Sequence, residues 1–170
     1  MTANARNAAL AIAAALAAVL ALPSAVRAQA ASFKPAVQWE LRADALAGPP
    51  AGGQVGFGAN VADSYLRVGL DFAGGLAAAN GGSVASARAD FVTRYLFDPF
   101  KEIAYAPYVG GGFTAQWNRR DSRNNWRGDL LIVIGVEGPA RGAWRTSVEL
   151  GLGGGARLGV VLRRARSNGR

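Results

Sequence analysis

The chain has no cysteine and no histidine. Those two absences exclude disulfides, thiolate chemistry, Cys/His zinc sites and Ser-His-Asp triads on composition alone. Lysine is scarce as well, 2 residues against 17 arginines, within a net charge of +8. Charged residues make up 18% and hydrophobic residues 51% of the 170, with a mean hydropathy of +0.12. That composition is too apolar for a disordered chain and too polar for a polytopic helical membrane protein. The length allows one domain of ordinary size. No catalytic set, metal site or cofactor motif is present, and none is expected.

An apolar run long enough for a membrane-spanning helix is also lacking. Ala8 to Leu22 is free of charge and follows Arg6, but it is only fifteen residues long, short of the roughly 20 a helical span needs. Pro23 ends it, and Ala28-Gln29-Ala30 supplies the small-x-small pattern that a signal peptidase reads. Residues 1–30 are therefore expected to be a cleaved signal peptide, leaving a net charge of +6 (17 basic, 11 acidic) on the remaining 140 residues.

What the rest of the chain does carry is alternation with period two. In the first run Val37, Trp39, Leu41, Ala43 and Ala45 interleave with Gln38, Glu40, Arg42 and Asp44, the mark of a strand apolar on one face and charged on the other. The pattern recurs over about 54–61, 65–72, 86–95, 105–116, 127–137, 144–151 and 156–163, which predicts eight strands. Most approach the ~9–11 residues a tilted strand needs to cross a bilayer, above the ~5–6 of an average soluble strand. The Gly- and Ala-rich residues 74–82 and the polar WNRRDSRNNW segment read as loops, and GPARG as a turn.

Alternation alone does not say which face points inward, since a membrane barrel and a soluble barrel differ by that inversion. The charges favour an enclosed polar face. Seven of the eleven acids lie on it, against eight arginines: Arg42, Arg67, Arg88, Arg94, Arg127, Arg145, Arg157 and Arg163. Near-cancellation is what a closed interior requires, because uncompensated buried charge costs several kcal/mol, roughly. Glycines such as Gly56, Gly58, Gly110, Gly112 and Gly159 share that face, and offset long arginines in a lumen only wide enough for side chains to fill. The candidate lumen network is Glu40, Arg42, Asp44, Arg67, Asp71, Arg88, Asp90, Arg94, Arg127, Asp129, Glu137, Arg145, Glu149 and Arg157. Aromatics are expected as two rim rows, Trp39, Tyr95, Tyr105 and Trp144 at one end and Phe57, Phe72, Trp117 and Trp126 at the other.

On these features, and on the Pro107-Tyr108-Val109-Gly110-Gly111-Gly112 strand opening, the chain resembles small bacterial proteins of the outer-membrane β-barrel group. The resemblance implies an all-β fold: a closed, eight-stranded, antiparallel, up-and-down transmembrane barrel over residues 31–164, with a basic tail at 165–170. It also implies insertion into the outer membrane by the barrel-assembly machinery, which commonly reads a last strand ending in an aromatic residue; here the chain ends in RRARSNGR. The expected role is structural or surface-interacting, in a cell-envelope protein that is not a general pore. Barrel enzymes of this size lean on a histidine, so no enzymatic activity is expected. Trp117, Arg119, Arg120, Arg123 and Trp126 form a candidate surface loop for lipopolysaccharide phosphates; nucleic acid is not an expected partner. The alternative is a soluble periplasmic or secreted lipocalin-like barrel holding a hydrophobic ligand.

Overall fold

The structure, a computed structural model, describes residues 36–48, 51–63, 65–79, 82–98, 103–120 and 123–164. The expected signal peptide, the basic tail and Asp121 lie outside them, as do the side chains of Arg120 and Arg123. Eight strands are present: β1 (Ala36–Ala47), β2 (Gly52–Asp63), β3 (Leu66–Ala79), β4 (Gly82–Leu96), β5 (Ala106–Arg120), β6 (Arg123–Arg141), β7 (Trp144–Leu152) and β8 (Ala156–Arg164). Each pairs antiparallel with the next, and β1 closes on β8 with Leu41 opposite Leu162. Closure leaves no free sheet edge along the barrel wall, the usual fate of a sheet whose strands all alternate.

The period-two pattern resolves as inside against outside. Gln38, Glu40, Arg42 and Asp44 are buried while Val37, Trp39, Leu41 and Ala43 are exposed. The same inversion holds on β7 and β8, where Ser147, Glu149, Arg157 and Arg163 face in and Val148, Leu150, Leu158 and Leu162 face out. The lumen has one apolar sector, Val92 of β4 with Leu131 and Val133 of β6, facing Gly110 and Gly112 on β5 between them. A Cβ on Gly112 would overlap the Phe91 carbonyl of the neighbouring strand, so this wall closes because β5 carries no side chains there.

Three segments expected to be loops or turns are strand instead. Residues 74–79 continue β3, with Gly74 opposite Val55 and Ala87; hydrogen-bond partners on both sides outweigh the weak strand preference of Gly and Ala. The WNRRDSRNNW segment forms the ends of β5 and β6, in register as Trp117↔Trp126, Asn118↔Asn125, Arg119↔Asn124 and Arg120↔Arg123. Between Trp117 and Trp126 the sequence is polar at every position, so no apolar row betrays the strands. The GPARG turn is likewise strand, since β6 runs to Arg141 through an irregularity between Glu137 and Ala140, and the chain reverses at Gly142, whose φ of 61° is the left-handed conformation such a turn favours.

The aromatic rows are uneven. Trp39, Tyr95, Tyr105 and Trp144 are exposed toward the end holding both chain termini, with Tyr65 and Phe97 added beside Tyr95 at ring distances of 5.9 and 5.5 Å. At the hairpin end only Trp117 and Trp126 take the rim. Phe57 and Phe72 pair with each other midway along their strands, opposite Leu41 and Ala89, because the unexpected extension of β3 to β6 moves the rim beyond them.

Gly135 lies against the ring of Tyr108, where an added Cβ would overlap the phenol. Gly135→Val is expected to destabilise the folded barrel by about 1–3 kcal/mol, the usual range for overpacking, while Gly128→Val, at a position with no atom within 4 Å of an added Cβ, stays within ~0.5 kcal/mol; urea unfolding of the two variants compares them.

Candidate functional site

The candidate site is the lumen. Strand alternation delivers one side chain from every second residue into a channel with no room for hydration shells, so each charge must meet its opposite there. The buried charged residues are Arg42, Arg67, Arg88, Arg94, Arg157 and Arg163 against Glu40, Asp44, Asp71, Asp90, Glu137 and Glu149. Six positive and six negative charges give a net of zero.

They are arranged in three tiers along the axis, each of two arginines and two carboxylates. Nearest the chain termini, Arg67 donates to Glu137 at 2.9 Å, and Arg163 bridges Glu137 and Glu40, the latter at 2.9 Å. Asn60 adds a bond to Glu40 at 2.9 Å and Arg163 one to Ser147 Oγ at 3.3 Å. In the middle tier Arg94 joins Glu149 at 2.9 Å to Asp71 at 3.0 Å, and Arg42 joins the same two acids at 3.1 and 2.7 Å. Tyr108 donates its hydroxyl to Glu149 at 3.2 Å. Nearest the hairpin end, Arg88 contacts Asp44 at 2.6 Å and Asp90 at 3.0 Å, and Arg157 contacts Asp90 at 2.8 Å. Arg42–Asp44 at 2.8 Å and Arg94–Glu40 at 3.7 Å stitch the tiers together.

Glycines on the same face make the space. An added Cβ on Gly58 would strike the Asp71 carboxylate, one on Gly159 the Asp44 carboxylate, and one on Gly151 the Arg157 side chain. Each glycine therefore sits across a strand boundary from a charged group, and its missing side chain is the volume that group occupies.

Of the fourteen residues expected from sequence, eleven lie in this buried network. The other three do not. Arg127 has a 63% exposed side chain and pairs with the partly covered Asp129 at 2.8 Å, at the hairpin-end mouth. Arg145 reaches Glu137 at 3.3 Å from the opposite mouth. Their rows continue past the region where eight strands enclose the lumen: β7 pairs with β6 only from Ile132 onward, so Arg127 has no facing wall. Arg163, placed on the polar row but left outside the selected network, is buried within it, and so are Tyr108, Asn60 and Ser147. Its position on the last strand concealed this, because only the β1–β8 closure brings it to Glu40. In the expected surface loop, Trp126 and Arg119 are exposed and Trp117 is half-buried, on paired strands. A small cleft at the hairpin-end mouth is lined by Gln54, Arg88, Gln116, Arg157 and the 153–155 turn. Among the described residues no group of acids is placed to hold a metal ion.

No protein-family model and no curated protein matches the chain. Solved structures similar to it include two bacterial barrels. The crystal structure of Neisserial surface protein A (NspA) aligns with a TM-score of 0.56 at 13% identity, over 78% of this chain and 99% of that one. The N-terminal β-barrel domain of Pseudomonas aeruginosa OprF aligns with a TM-score of 0.55 at 15% identity, over 76% and 99%. At such identities the likeness is one of fold: a closed, eight-stranded antiparallel barrel.

Removing one partner from the middle tier strands a buried charge. Glu149→Gln is expected to cost about 3–5 kcal/mol of unfolding free energy, with Arg42, Arg94 and the Tyr108 hydroxyl all losing an anionic acceptor. Replacing Arg94 and Glu149 together by Met and Leu costs less than the sum of the single changes, and a double-mutant cycle in urea measures the difference.

Proposed function

We propose that this chain is a small outer-membrane barrel with a structural or surface-interacting role, exported by residues 1–30 and plugged by its own lumen network. The observation that carries this reading is the outer face. From β1 to β8 the outward positions between the two rims carry no charge: Val37 to Ala47 on β1, Val55 to Val61 on β2, and onward to Leu158, Val160 and Leu162 on β8. Leu130 and Val55 are each 71% exposed. A continuous apolar belt of that kind is far larger than the patches a soluble monomer displays, and aromatic residues flank it as they do at a membrane interface. The soluble, lipocalin-like alternative needs its apolar face inside, and there six ion-paired arginines stand instead.

A lumen closed by three linked tiers supports a plug rather than a diffusion pore, since an open path would leave guanidiniums and carboxylates without partners. The sequence of the β5–β6 hairpin holds Arg119, Arg120, Arg123, Trp126 and Arg127, a composition suited to lipopolysaccharide phosphates on the outer surface. Insertion by the barrel-assembly machinery completes the reading, and nothing in it calls for catalysis or a cofactor.

Expression of the chain in a Gram-negative host tests the proposal. The expected result is recovery with the outer membrane, heat-modifiable migration in detergent and no stable conductance in planar bilayers. Ile134→Arg, at the centre of the belt, is expected to cost about 2–4 kcal/mol in vesicles. Recovery of a folded monomer without detergent refutes the reading.

A further inference from the structure

Among the described residues, the outward face where all eight strands close has one place where arginine replaces apolar side chains, and a backbone irregularity helps put it there. On β6, Glu137 points inward opposite Ser147. Simple alternation from Glu137 would turn Arg141 inward too. Between Glu137 and Ala140 the register slips by one residue, so that Ala140 stands opposite Arg145 and Arg141 opposite Trp144. Trp144 is an outward residue, 45% exposed, and the slip therefore moves Arg141 from the lumen parity to the outer face. Bulges at barrel rims characteristically re-aim a side chain in this way, and Pro139, which donates no ladder hydrogen bond, sits in it.

On the other side of Trp144 the β8 partner is Arg164, also exposed. The result is an Arg141–Trp144–Arg164 row running across three adjacent strands, the two arginine backbones about 9–10 Å apart at two strand spacings. Neither guanidinium has an ion-pair partner among the described residues. Next along the wall lie Thr146 and Leu162, then Val136, Val148 and Val160, then Ile134, Leu150 and Leu158, all exposed. A row of two unpaired guanidiniums around an indole, bordering a smooth apolar track, matches a ligand with an anionic head and hydrocarbon tails.

We propose that this row binds the phosphate of an anionic phospholipid at the chain-terminus end of the barrel. The two guanidiniums close on the phosphate by charge-assisted hydrogen bonds, the indole sits at headgroup depth, and the acyl chains lie along the valine and leucine rows of β6, β7 and β8. The site rests on the membrane-spanning reading given above. It is distinct from the arginines of the β5–β6 hairpin, which lie at the opposite end.

Native mass spectrometry of the detergent-solubilised, heat-modifiable barrel, incubated with equal parts of phosphatidylglycerol and phosphatidylcholine, tests it. The expected result is preferential retention of phosphatidylglycerol. R141Q/R164Q lowers that preference at least fivefold, while K34Q/K101Q, which removes the same charge elsewhere in the chain, leaves it intact. Equal retention of both lipids by a heat-modifiable barrel overturns the site and leaves the membrane reading standing; an equal loss with K34Q/K101Q also overturns it, by showing that net charge alone attracts the lipid. A chain that never becomes heat-modifiable sinks the membrane reading instead.

Discussion

A guanidinium inside an eight-stranded barrel is withdrawn from bulk solvent, and the fold is organised around that fact. Burying one ion costs several kcal/mol even after relaxation, and the cost is recovered only when geometry and hydrogen bonding are both good. Here the recovery is collective. Glu149 alone receives Arg42, Arg94 and the Tyr108 hydroxyl, and Asp44 receives both Arg42 and Arg88. The strands contributing these groups are β1, β4, β5 and β7, so the ion pairs cross the lumen as ties between opposite walls. A hydrocarbon-filled lumen would be equally closed but would tolerate slips of register, whereas a strand displaced by one residue here exchanges every inward charge for an outward apolar group.

Volume is the second constraint, and it follows from the first. Arginine is long, and a lumen that houses six of them has to surrender space elsewhere. The glycines do this locally. Gly58 faces Asp71, Gly159 faces Asp44, Gly151 faces Arg157 and Gly135 faces the Tyr108 ring. On β5 the glycines serve a different purpose, letting Val92, Leu131 and Val133 meet across them. The lumen is thus split between a charged sector and a dry apolar sector, and the latter lowers the dielectric in which the neighbouring ion pairs act.

The alternation of β1, β7 and β8 made the barrel legible in the sequence, because a one-sided strand writes its two environments into successive residues. Near-equality of inward acids and arginines identified the enclosed face by the same logic. What stayed hidden depends on information that alternation does not hold. Residues 74–79 are glycine and alanine apart from Leu76, so their membership in β3 is decided by neighbours in space. The hairpin around Arg120 and Arg123 is polar on both faces and reads as loop by composition. Arg127 and Arg145 obey the inward parity but sit beyond the enclosed length, and parity gives no measure of height along the axis. The slip before Arg141 is invisible for a related reason: it reverses the parity on which every other inward assignment rested.

The two faces of this barrel also constrain each other through the same backbone. An outward belt without charge is possible only if the arginines that a 17-to-2 preference over lysine supplies have somewhere else to go. Six are paired inside, and others fall at strand ends, as Arg119 and Arg164 do. Guanidinium suits the inner role better than ammonium would. Its planar fork lets one side chain serve three acids, as Arg42 does with Asp44, Asp71 and Glu149, and it stays charged even in poorly hydrated surroundings. The same delocalised cation can lie beside an indole at a headgroup interface. Arginine can therefore be both the filling of the lumen and the marker of its rims, and the parity of the strand decides between them.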